Sequence, residues 1–256
     1  MFKNAIVCPP AINFSAGLTT ADLGPPIYTK AIEQHRRYCE ALQQSGLVLT
    51  RLEADLRYPD STFVEDTAIL TDRCAVLARP GAVSRDGEVS SMKEVLARFY
   101  PLFRAITSPG TVDGGDICKS GDHFFIGTSK RTNEEGARQL ARILGQEGYS
   151  STCIDIRGIK GILHLKTGLA DLGENRLVVI DALADHEAFE GYDIVRVEAS
   201  ENYAANCLRV NDFVLLAAGY PILQASLRDL GFTVITLEMS EFQKMDGGLS
   251  CLSLRF

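Results

Sequence analysis

Gly115-Asp116-Ile117-Cys118-Lys119-Ser120-Gly121-Asp122-His123-Phe124-Phe125-Ile126-Gly127-Thr128-Ser129-Lys130 holds two short apolar runs split by a polar turn. That pattern reads as a strand pair. Working outward, the same arrangement recurs at 63–79 around Asp72-Arg73, at 165–182 around Glu174-Asn175 and at 203–219 around Asn211-Asp212. A fifth half-unit, 247–256, ends the sequence, and the apolar start Ala5-Ile6-Val7 is placed to supply its missing strand. Self-similarity at this spacing indicates a repeat architecture.

Segments with helical spacing lie between the pairs, at 28–44, 89–100, 133–147, 183–189 and 222–230. Gly46, Gly148 and Gly231 follow three of them as stop signals, and Thr132-x-x-Glu135 is expected to form a capping box at the start of the third. No linker or low-complexity stretch interrupts the series. The expectation is therefore an α/β fold forming one domain over residues 1–256.

With 46% apolar residues in 256, the chain can bury a sizeable core. Met1 to Val7 lacks the apolar length of a signal peptide or a membrane span, so a cytoplasmic chain with no membrane partner is expected. Seven cysteines without a Cys-x-x-Cys pair fit reduced thiols, and four histidines show no metal-ligand spacing, so no metal site is expected. A net charge of -7 argues against a nucleic-acid partner and suits a site that attracts a cation.

Polar groups recur at one place in the repeat. Asp66, Asp116 and Asn206 each lie six residues before an acidic turn residue, at Asp72, Asp122 and Asp212. If the units surround an axis, such positions face one channel; the bland alternative is that each merely opens a strand. Cys251 follows Asp246-Gly247-Gly248-Leu249-Ser250, where two glycines allow a sharp turn beneath a thiol. His164 heads the third pair and Asp113 the second, so a nucleophile, a proton carrier and an orienting carboxylate could converge. Taken singly, Cys251 reads more readily as an inert core thiol and His164 as a satisfied core residue. Asp60, Glu65 and Asp66 open an otherwise apolar strand pair. Such carboxylates pair with Arg57 or Arg79, or they hold a planar cationic ligand by bidentate hydrogen bonds.

Taken together, these residues resemble the dimethylarginine dimethylaminohydrolases of the guanidino-group-modifying superfamily. The likeness runs through Leu18-Thr19, Phe63-Val64-Glu65-Asp66, Arg79-Pro80-Gly81-Ala82, Val112-Asp113-Gly114-Gly115-Asp116, Ser129-Lys130-Arg131-Thr132-Asn133, Leu163-His164-Leu165-Lys166, Ala204-Ala205-Asn206-Cys207 and the terminal Asp246-Gly247-Gly248 with Ser250-Cys251. The resemblance implies a pentein-type five-unit α/β propeller with pseudo-fivefold repeats. It implies Cys251 as nucleophile, His164 as general acid and base, and Asp113 as the carboxylate completing the group. Asp60, Glu65 and Asp66 would line the guanidinium end of a small guanidino substrate, and Arg85 and Arg131 its amino-acid end. Leu18 would belong to a loop closing over the site, and Met245, larger than the residue expected there, would contact ligand through its backbone. Asp113 stands where some members carry Glu. No cofactor is implied, and whether two copies pair into a homodimer is left open.

Two other readings compete. An arginine deiminase or amidinotransferase would keep the chemistry and change the substrate. A non-catalytic five-unit propeller serving as a binding module would have no use for Asp113, His164 and Cys251 at unit openings.

Overall fold

Each of the five repeats folds as a hairpin whose second strand takes a third, parallel strand on its other edge. The structure, a computed structural model, describes residues 1–256. It resolves into two compact units, one of Met1–Val64 with Asn206–Phe256 and one of Glu65–Ala205.

The Glu65–Ala205 unit carries three of the sheets. Their strands are Ala68–Leu70, Ala75–Leu77 and Phe103–Ala105; then Ile117–Ser120, His123–Thr128 and Ser150–Asp155; then Leu169–Gly173, Arg176–Ile180 and Asp193–Val197. In the second sheet Ile117 faces Ile126 and Cys118 faces Phe125 across the hairpin, while Phe125 sits beside Thr152 on the parallel side. The central strands are buried on both faces, which is why they read as unbroken apolar runs. Helix Glu134–Gln146 packs Ala137, Leu140 and Leu144 onto a core with Val76, Ile117, Phe124 and Ile126. Removing a side chain such as Leu140, fully buried there, costs about 2–5 kcal/mol.

The other unit carries two sheets, Leu208–Val210 with Phe213–Ala217 and Thr233–Leu237, and Leu254–Arg255 with Asn4–Val7 and Val48–Arg51. The start of the chain does complete the fifth hairpin, with Ala5 opposite Arg255 and Ile6 opposite Leu254. Phe14, Phe63 and Phe242 form an aromatic cluster with ring centroids 5.6–6.4 Å apart.

Four of the five expected helices form: Tyr28–Gln44, Glu88–Leu96, Glu134–Gln146 and Pro221–Asp229. The glycines after the first, third and fourth take positive φ, as expected of helix stops. At 183–189 only a 3-10 turn, Glu187–Phe189, appears, begun where the His186 side chain accepts the Ala188 N–H. The third helix is capped one residue later than expected: the Asn133 side-chain oxygen accepts the Gly136 N–H at 2.8 Å, so no box forms from Thr132. No helix is long and apolar enough to cross a membrane.

One local feature repeats in all five units. A 3-10 turn precedes the first strand of every sheet, at Val64–Thr67, Gly114–Asp116, Leu165–Thr167, Ala199–Ala205 and Ser250–Leu252. Glu65, Asp66 and Cys251 lie within such turns, Asp113 and His164 are the residues that begin them, and Asn206 directly follows one.

Candidate active site

In the Glu65–Ala205 unit a buried network grows from these turns. Asp113 and His164 both take extended backbone where their turns begin. His164 Nε2 meets Asp113 Oδ2 at 3.1 Å, while Asp113 Oδ1 accepts the Gly81 N–H at 2.8 Å. Asp66 accepts the Gly115 N–H at 2.8 Å through one oxygen and Arg85 Nη1 at 2.6 Å through the other. Asp116 accepts the Ser129 hydroxyl at 2.7 Å and the Leu165 N–H at 3.0 Å. Gly115 is required by close approach, since a Cβ there would stand 2.8 Å from His164 Nδ1 and 3.0 Å from an Asp66 oxygen.

The electrostatics follow from this packing. Burial alone would push the His164 imidazole down, but the charges of Asp66 and Asp116 and the hydrogen bond and charge of Asp113 outweigh it and raise it to about 9. Burial likewise opposes ionisation of Asp66, yet the His164 and Arg85 charges and the Gly115 N–H hold its carboxyl below the usual range. Burial pushes the Asp116 carboxyl up, against the pull of His164, Ser129 and Thr132. At neutral pH the imidazole is a proton donor fixed in place by Asp113.

Ligand atoms of Asp66, Asp113 and His164 lie within 4.8 Å of one another, a spacing a metal could bridge. Each of the four carboxylate oxygens already meets an N–H group, of Gly81, Gly115, Arg85 or the imidazole itself. An added cation would meet two resident ones. The set fits a proton-holding network better than a metal centre.

The carboxylates find other partners than the arginines weighed from sequence. Glu65 Oε1 takes the Lys166 ammonium at 2.6 Å, Arg57 pairs with Asp55, and Arg79 donates to the Gly110 carbonyl. Arg85, expected at the amino-acid end of a substrate, lies buried with its guanidinium shared between Asp66 and a carboxylate that sequence reasoning missed, Glu88. Glu88 takes Arg85 Nε at 3.0 Å and Nη2 at 2.7 Å. The three-residue spacing of Arg85 and Glu88 was the available signal. Arg131 makes no ion pair; its N–H donates to the Ser129 hydroxyl at 2.9 Å and its backbone packs against Gly81.

In the other unit, Cys251 sits half-buried in its 3-10 turn, next to Ser250. Asn206 clamps that turn: its side-chain oxygen accepts the Ser250 N–H at 2.9 Å and its amide donates to the Ser250 hydroxyl at 3.1 Å. A Cβ at Gly248 would stand 2.5 Å from the Asn206 side chain, so the clamp also explains that glycine. Both Asp60 oxygens accept the Leu18 N–H, at 3.0 and 3.2 Å. The exposed loop that follows is tied by Thr19 Oγ1 to the Lys244 carbonyl and by Thr20 to Asp246. Met245 is buried in the same loop as Asp246, its N–H donating to the Phe242 carbonyl.

The arginine deiminase family model matches residues 57–199. The N(G),N(G)-dimethylarginine dimethylaminohydrolase of Pseudomonas aeruginosa is 46% identical over 257 residues, all of both chains. Its counterpart in Streptomyces coelicolor is 30% identical over 254 residues, covering 99% of this chain and 96% of that one. The solved structure of the P. aeruginosa protein, as a cysteine-to-serine mutant complexed with citrulline, superposes with a TM-score of 0.97 over the whole of both chains. The five small sheets are accordingly those of the pentein-type α/β fold. With the arginine deiminase model matching more than half its length and full-length identity of this order, the chain belongs to the N(G),N(G)-dimethylarginine dimethylaminohydrolase family.

Proposed function

We propose that this chain hydrolyses Nω-methylated arginine, asymmetric dimethylarginine or monomethylarginine, to citrulline and dimethylamine or methylamine through a covalent adduct on Cys251. The observation that carries the reading is the buried His164, held protonated at neutral pH by Asp113, Asp66 and Asp116. An amine leaving a tetrahedral carbon needs such a donor. Full-length similarity to the P. aeruginosa protein supports the substrate and product.

In this reading the Cys251 thiolate attacks the central guanidino carbon. The bond to the methylated nitrogen breaks as His164 gives up its proton, and the amine departs. The imidazole, now neutral, takes a proton from water. The resulting hydroxide adds to the adduct, and the C–S bond breaks to free the thiolate and citrulline, the remaining hydroxyl proton passing to solvent. Asp113 fixes the ring and stabilises its charge, as orienting carboxylates do. No metal or organic cofactor enters these steps.

Asp60, Glu65 and Asp66 hold the guanidinium, whose resonance otherwise resists attack. Arg85 and Arg131 serve the amino-acid end. Of the two, Arg131 carries the guanidinium without an ion pair, whereas Arg85 also anchors Asp66. Leu18 belongs to the loop over the site, and Met245 contacts ligand through its backbone. The five units form one catalytic propeller domain. A cytoplasmic location accords with seven free cysteines, and whether two copies pair into a homodimer is to be read by sedimentation.

The test is incubation of purified protein with arginine, monomethylarginine and asymmetric dimethylarginine, following citrulline and the released amine. Citrulline from the methylated substrates supports the reading; citrulline from arginine alone would make the chain a deiminase in function.

A further inference from the structure

Every carboxylate assigned above to the guanidinium already has a resident donor. Asp60 accepts the Leu18 N–H, Asp66 accepts Gly115 and Arg85, and Glu65 accepts Lys166. The first three donors are backbone amides or an anchoring arginine. Lys166 is of another kind: a full ammonium, 2.6 Å from Glu65 Oε1, with 4% of the Glu65 side chain and 16% of its own exposed. It stands two residues after His164 in the Leu165–Thr167 turn, so its position is fixed by the turn that also places the imidazole. Desolvating two charges in this way is costly. A lysine beside a carboxylate whose task is to hold a different cation therefore calls for a functional account.

Counting N–H groups supplies one. An unsubstituted guanidinium presents five N–H donors in a planar fork, and each methyl group replaces one of them. A site that holds arginine well must offer an acceptor to every donor it desolvates, because a buried donor left unpaired costs more than a hydrogen bond yields. Lys166 fills one acceptor position on Glu65 Oε1 and so reduces that supply. The loss falls on arginine, with its full set of donors, and spares a substrate whose distal nitrogen carries methyl groups.

Resting on the functional reading above, we infer that Lys166 is a specificity-determining residue, occupying a Glu65 oxygen so that the site favours methylated guanidino groups over arginine itself. Lys166 acts through Glu65 and takes no part in bond making.

The experiment compares kcat/KM for arginine and asymmetric dimethylarginine in wild type, Lys166→Met and Lys166→Arg. Methionine keeps the chain length and removes the ammonium from Glu65 Oε1, so the preference should move toward arginine by about tenfold, the scale of one hydrogen bond to a charged group. Arginine can fork across both Glu65 oxygens and keeps the buried pair intact, so that variant remains measurable even if the Met variant fails to fold. Its preference should move the opposite way, with arginine turnover falling further than turnover of the methylated substrate. Equal losses for both substrates in the Met variant, or an unchanged ratio in the Arg variant, would overturn the inference while leaving an active hydrolase. A wild type that forms citrulline from no methylated substrate would instead remove the functional reading, and the inference with it.

Discussion

Asp113 is held from both sides: one oxygen accepts the Gly81 N–H at 2.8 Å, and the other lies 3.1 Å from His164 Nε2. A carboxylate can satisfy two N–H donors at once. An amide offers one acceptor, so in Asp113→Asn one of the two donors faces an NH₂ group. Turnover should fall on the order of a hundredfold or more with substrate binding little changed. Wild-type kcat in that variant would show that the contact is structural only.

The charge on His164 makes stability depend on pH in a definite direction. Its folded value, about 9, lies above the ordinary 6.5, so the folded state binds the proton more tightly than the unfolded chain. The contribution is fully present below about 6.5 and is lost as the pH rises through about 9, with a span on the order of 3 kcal/mol. Denaturant titrations of wild type and His164→Gln from pH 6 to 10 should converge across that window. A constant difference would place the proton elsewhere.

Cys251→Ser should keep its fold and bind substrate but lose turnover, since a hydroxyl ionises far less readily than a thiol. In labelling of the wild type, Cys251 should react first. Burial pushes the Cys118 thiol up to about 12 and Cys39 to about 11, and it raises Cys74 as well. The rival by access is the exposed Cys153, whose thiol is also raised by burial of its sulfur surroundings. Peptide mapping that found Cys153 modified ahead of Cys251 would argue against an activated nucleophile.

The two arginines should separate. Arg131→Ala is expected to weaken binding of the free amino acid by about 1–3 kcal/mol and to leave an alkylguanidine lacking the carboxylate nearly untouched. Arg85→Ala removes the guanidinium that Asp66 and Glu88, both buried, share, and should destabilise the fold by about 3–5 kcal/mol and weaken both ligands. Equal selectivity in the two variants would return Arg85 to a purely substrate-binding role.

The hairpins were legible because their central strands, such as His123–Thr128, are buried on both faces and leave an apolar run with a polar turn beside it. The third strand of each sheet was not. Val48–Arg51 and Ser150–Asp155 are half exposed, and their polar residues hide the pairing that the parallel neighbour imposes. At the site, spacing from the turns pointed to Asp66, Asp116 and Asn206, but not to which partners they would take. Glu65 with Lys166 joins residues 101 apart, and Asn206 with Ser250 residues 44 apart. Such pairings are set by tertiary packing, which local pattern does not encode. Arg85 and Glu88, three residues apart, are the exception, a pairing that local spacing does encode.

The 3-10 turn before each sheet has a consequence for inheritance. Core stability resides in the strands and helices, whereas the side chains proposed to react ride on the short turns that precede the sheets. A lineage of this fold can therefore exchange one reactive group for another, turn by turn, without rebuilding a sheet. Selection on chemistry and selection on folding act on different residues. Descendants can diverge in what they transform while their sheets remain superposable.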